Sequence, residues 1–188
     1  MKGAMMLRHL WAGAVTLAVA AGARAADGTP IEIDGLKSTA PASWKKDEPT
    51  EQQKQFRKFQ FKIAKEAGDA EDAEVIVFFF GQGGGGGKDA NLNRWKGMFK
   101  APAGEKAKLD EFKSGEVPVT EVDISGTYLF KVGGPFNPNA KTEEKPDYRM
   151  VGVIFESKNG PYFMRLVGPA KSVEKNKKDF DEWLKNFK

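Results

Sequence analysis

The run from Gly81 to Lys88, Gly-Gln-Gly-Gly-Gly-Gly-Gly-Lys, is the segment whose residue types point most directly to chemistry. Backbone N–H groups of a glycine loop that opens a helix can cradle an anion. The context is right: the apolar, β-rich run Glu74–Phe80 precedes the glycines. Leu92, Trp95 and Phe99 follow at helical spacing, with Asp89 placed to cap. The spacing of a nucleotide-binding loop is not met. Its first glycine falls on Gln82, and Asp89 stands where Ser or Thr would hold magnesium. What survives is a nest of Gly83, Gly84 and Gly85, with Lys88 and Arg94 nearby, suited to a simple anion. The competing expectation is a glycine loop that only connects, since ordering glycine is entropically costly. Tyr148 and Arg149 form a second candidate surface beside Tyr128, Tyr162 and Arg165, because aromatic and arginine side chains anchor interfaces.

Other chemistry is excluded by what is missing. Asp69, Glu71, Asp72 and Glu74 imitate a calcium loop, but Glu74 and Phe80 occupy the positions that need glycine and glutamate. The chain has no cysteine and one histidine, His9. Lys2 and Arg8 precede an uncharged apolar run, Leu10–Ala21, and then Ala23-Arg-Ala25, the pattern of a signal peptide cleaved after Ala25. The run is shorter than the roughly 20 residues of a membrane span. Cleavage removes His9, so Ser-His-Asp and Cys-His catalysis and His/Cys zinc sites are excluded from residues 26–188. Disulfides are excluded too, and Ala26 offers no thiol for a lipid anchor. Cleavage also takes three of the 30 bases and no acid, leaving a single excess positive charge. Nucleic-acid binding needs clustered bases and is disfavoured. No cofactor or metal is implied.

These residues must be positioned by a single α+β domain spanning 26–188, long enough to bury a core without staples. Ile31 and Ile33 alternate, and Pro41 and Trp44 sit in a turn-rich lead-in. Phe59, Phe61 and Ile63 read as a half-buried strand, and Glu74–Phe80 as a central one. Residues 101–114 read as a polar loop, and Val117–Ile124 and Thr127–Val132 as strands around Ser125-Gly126. Gly133–Asp147 reads as a long loop with three prolines. Tyr148–Ser157 and Tyr162–Val167 form a hairpin, and Asn159-Gly160 is a favoured two-residue turn. That register sets Phe155 opposite Met164, Val153 opposite Leu166, Ile154 opposite Arg165 and Glu156 opposite Phe163. A final helix from Pro169 carries Val173, Phe180, Trp183, Leu184 and Phe187 on one stripe.

The order of short motifs resembles a known family. Pro41-x-x-Trp44, Asn93-Arg-Trp95, Gly160-Pro-Tyr-Phe163, Leu166-Val-Gly-Pro169 and a helix ending in an aromatic are similar to small exported bacterial proteins of the PsbP-like superfamily. The resemblance implies a three-layer α-β-α sandwich around a mainly antiparallel, twisted sheet, and accessory or binding roles rather than catalysis. No binding residue is carried over from it. The expectation is therefore a periplasmic or secreted, soluble, non-enzymatic binding or accessory protein, engaging a protein or small ligand of the cell envelope. Alternatives are a small-anion binder using Gly81–Lys88 and a carboxylate-based hydrolase.

Overall fold

Alternating apolar residues and paired polar edges give a sheet-dominated architecture in the computed structural model, which describes residues 28–133 and 139–188. The expected targeting segment and part of the Gly133–Asp147 stretch lie outside the described residues, and residues 141–147 of that stretch are strand rather than the expected loop. The elements are β1 (Thr29–Ile33), β2 (Leu36–Ala40), β3 (Trp44–Lys46), β4 (Arg57–Ile63), β5 (Ala73–Phe79), α1 (Lys88–Lys96), β6 (Lys108–Ser114), β7 (Val117–Val132), β8 (Lys141–Ser157), β9 (Gly160–Pro169) and α2 (Ala170–Lys185). Strands β3-β4-β5-β9-β8-β7-β6 make one antiparallel sheet, and β1-β2 form a separate hairpin.

The expected three-layer sandwich does not form. Strands take about half of the described residues and helices about a fifth. The physical reason lies in α1. It has nine residues and buries only Asn91, Leu92 and Trp95, too little surface for a layer. Phe99, the third member of its expected stripe, falls beyond the helix and pairs with Tyr128 through an isolated bridge. The other face is covered properly. Val173, Phe180, Trp183 and Leu184 of α2, with Phe187, pack on Phe61, Val75, Val77, Val153, Phe155, Met164 and Leu166, and the β1–β2 hairpin closes the layer with Ile31 and Ile33. Polar groups at both ends of α2 are met from outside the helix. Asp69 accepts from Ser172 N and Oγ at 3.0 and 2.6 Å, while Ser38 and Ser114 donate to the carbonyls of Trp183 and Leu184 at 2.9 and 2.6 Å.

Three further expectations change. Residues 108–114, read as loop, form the edge strand β6; its exposed positions, Leu109 among them, carry no alternation to read. The 117–132 segment is one strand with a register shift between Gly126 and Tyr128. In the late hairpin Ser157 pairs with Gly160, so Lys158-Asn159 is the turn and Val153 faces Met164 rather than Leu166. Arg165 accordingly faces Gly152, and Glu156 faces Pro161. Asn159 is engaged by Asp34 of the β1–β2 turn, a tertiary contact that local turn preference does not contain. The shift is by two residues, so every side chain keeps its face.

Asp34 also accepts from Ser157 Oγ, and from the Tyr162 hydroxyl at 3.1 Å. Burial pushes the Tyr162 phenol up, and the Asp34 charge adds to this, raising it to about 12. Burial alone would raise Asp34, but the bonds from Ser157, Asn159 and Tyr162 outweigh it and hold the carboxyl below its ordinary value. A folded-state value above the unfolded one means that the tyrosine's contribution is complete below about pH 10 and lost as pH rises toward 12. Denaturation midpoints should therefore fall more steeply between pH 10 and 12 for the native protein than for Tyr162→Phe. Parallel curves would remove the phenol from the account.

Candidate functional site: an arginine-flanked aromatic face

Because α1 covers only one part of its face of the sheet, side chains of β4, β5 and β9 remain open beside it. Glu74, Ile76 and Phe78 of β5 point to this face, as do Phe163 and Arg165 of β9. Phe56, Phe78 and Phe80 form a triangular cluster of near-parallel rings, each pair of centroids 5.9–6.3 Å apart and all planes within 13°. Phe80 is 38% exposed. The guanidinium of Arg165 lies 5.0 Å from the Phe78 centroid, and that of Arg57 lies 5.6 Å from it.

Arg57 and Arg165 meet here and exposed Arg94 lies near enough to feel the charge of Arg165; among the described residues none of the three has a carboxylate at ion-pair distance. Arg57 Nη1 donates to Gln60 Oε1 at 2.7 Å, and its buried Nε has no partner. Arg165 Nη1 reaches only the Met98 sulfur, at 3.6 Å, a weak acceptor. Arg94 Nη2 donates to Asn91 Oδ1. Desolvation lowers the pKa values of Arg57 and Arg94, and the positive charge of Arg165 acts on both in the same direction. At the far end Glu74 is half-buried, and burial raises its pKa despite the opposing charges of Arg165 and Arg57. Arginines without an ion pair on an apolar floor, as Arg57 and Arg165 are, are costly for a fold to keep, and they suit a planar anionic group taken bidentately.

The glycine loop forms one wall of this face. Its backbone lies so close to the rings that a Cβ on Gly85 would stand 2.4 Å from Phe163 and 2.9 Å from Phe80. Asn91, fully buried, donates to the carbonyls of Gly85, Gly86 and Gly87 at 2.9, 3.1 and 2.9 Å. These carbonyls therefore turn toward Asn91. The same residue fixes both the loop and Arg94.

No family model matches the chain. No curated protein matches it either. Among solved structures, the Pseudomonas aeruginosa protein PA94, of unknown function, superposes with a TM-score of 0.41 at 10% identity, over 84% of this chain and 93% of that one. A likeness of that grade carries no argument about fold or function.

The residues singled out from sequence separate into groups. Gly83, Gly84, Gly85 and Arg94 lie at or beside the aromatic face. Lys88 turns away to Glu111, at 2.8 Å. Tyr148 is buried and stacks on Tyr128 at 5.8 Å. Arg149 belongs to the opposite, α2 side. It binds Asp123 through Nε and Nη2 at 2.9 and 2.7 Å and also reaches Glu174, and these partners raise its pKa. A depression lies there between Glu66, Ser125, Arg149 and Lys171, but two of its three cations are occupied: Arg149 as described, and Lys175 by Glu66 at 2.7 Å. Arg57, Phe78 and Phe80 are not among the candidate site residues read from sequence, and Arg165 enters there only beside Tyr148 and Arg149. Among the described residues no cluster of three or more His, Cys, Asp or Glu is placed to hold a metal, and no helix is long and apolar enough to cross a membrane.

Proposed function

We propose that this is an exported, non-enzymatic binding protein that takes an anionic ligand on the face bounded by Arg57, Arg94 and Arg165. The observation that carries the reading is the pair Arg57 and Arg165 over Phe78, with Arg94 close enough to feel the charge of Arg165, none of the three having an ion-pair partner among the described residues. Export follows from the basic start, apolar run and Ala-Arg-Ala of the first 25 residues.

The distinguishing property of such a site is that its residues are not needed by the fold. Changing Arg57, Arg94 and Arg165 together to glutamine removes crowded like charge, so the unliganded protein should keep or raise its Tm. Thermal unfolding in phosphate, acetate and benzoate at low ionic strength should show stabilisation of the native protein by at least one anion. The triple variant should show none, and added salt should erode the effect. Equal shifts in both proteins, or none in either, would refute the site.

A further inference from the structure

Resting on that reading of the arginine face, we infer that the ligand is a compact organic anion with a flat apolar group, of which an aryl carboxylate is the simplest case. An inorganic anion would use the guanidiniums and leave the ring cluster without a role. The cluster is ordered, its planes parallel within 3–13°, and its exposed member is Phe80. Arg165 leaves the sheet in the row of Ile76 but lies against Phe78, whose centroid is 6.1 Å from that of Phe80. An anionic group on Arg165 and Arg94 thus leaves a directly attached ring over Phe80. There the glycine loop offers backbone rather than side chains as its wall.

The surroundings set the size. Along β5 the face ends at Glu74, and Asp47 holds Gln60 at 2.8 Å on the β4 side. An extended polyanion running along the strands would meet both carboxylates. A single carboxylate near Phe78 meets neither. Aromatic pairs and charge-assisted bonds together reward a ligand that combines a ring with a carboxylate.

The test is calorimetric titration of the purified protein with 1-naphthoate, acetate and inorganic phosphate, repeated on Phe80→Ala and Arg165→Gln. Naphthoate should bind at least about ten-fold more tightly than acetate or phosphate. Phe80→Ala should weaken naphthoate by about ten-fold and leave phosphate unchanged. Arg165→Gln should weaken every anion, by about 30-fold for naphthoate. Phe80 is partly exposed, and an unchanged Tm certifies that its variant folds. Equal binding of the three anions, with Phe80→Ala silent, overturns the ligand class and leaves the anion site standing. No binding of any of them overturns both.

Discussion

Trp183→Ala should destabilise the protein by about 4 kcal/mol and leave anion binding intact. For a chain of this size that is a fall in Tm of roughly 8–16 °C. Trp183 is 2% exposed and sits among three aromatic partners, Trp44 at 5.6 Å, Phe180 at 5.8 Å and Phe187 at 5.4 Å. The hole left by alanine lies where α2, the sheet and the β1–β2 hairpin meet, and no one element can collapse to fill it. Its indole Nε1 is buried without a partner among the described residues. Trp183→Phe therefore removes an unmet donor along with some volume, and should cost well under half as much. Urea denaturation of both variants, followed by anion titration, checks the prediction. A loss below about 2 kcal/mol for alanine would mean that the α2 face is not the principal core.

Gly152→Val should cost about 3 kcal/mol and also abolish binding. A Cβ at this position would stand 2.7 and 3.0 Å from Cε3 and Cζ3 of the Trp95 indole. The backbone there is paired to Val122 on one side and Arg165 on the other, so the strand cannot yield. Trp95 must move, and α1 must move with it. That displaces Arg94, together with Met98, the sulfur partner of Arg165. The two variants thus divide the molecule: Trp183→Ala loses stability alone, whereas Gly152→Val loses stability and recognition together. Full anion affinity in a folded Gly152→Val protein would detach α1 from the site.

Periodicity made the α2 face legible. The stripe of Val173, Phe180, Trp183, Leu184 and Phe187, the alternation at Phe59 to Ile63 and the continuous run after Glu74 all sit where their spacing places them. The sequence suggests a second helical layer because Leu92, Trp95 and Phe99 imitate a longer stripe than the nine-residue helix presents. Strand β6 leaves no signal in the sequence because an exposed edge has no hydrophobic pattern. The glycine loop and Arg94 were visible as unusual local composition. Arg57, Phe78 and Phe80 were not, since their meaning depends on pairings between strands distant in sequence: Arg57 with Phe78, Phe78 with Phe163, and Ile76 with Arg165. The missing ion pair around each arginine is a property of three dimensions only.

The strand order has a consequence for how the chain reaches this state. β9 lies between β5 and β8, although it is the last strand in sequence. Before residues 160–169 dock, β3–β5 and β6–β8 can exist only as two separate antiparallel sheets, each with an open inner edge. α2 follows β9 directly, and its bond from Ser38 to Trp183 closes a separation of 145 residues. Topologies that defer such long-range closures fold slowly. Throughout the delay, Val75 to Phe79 is an unpaired edge of high β-propensity with no charge, the kind of segment that recruits other chains. The strand that joins the two half-sheets is therefore also the one that ends the protein's exposure to aggregation.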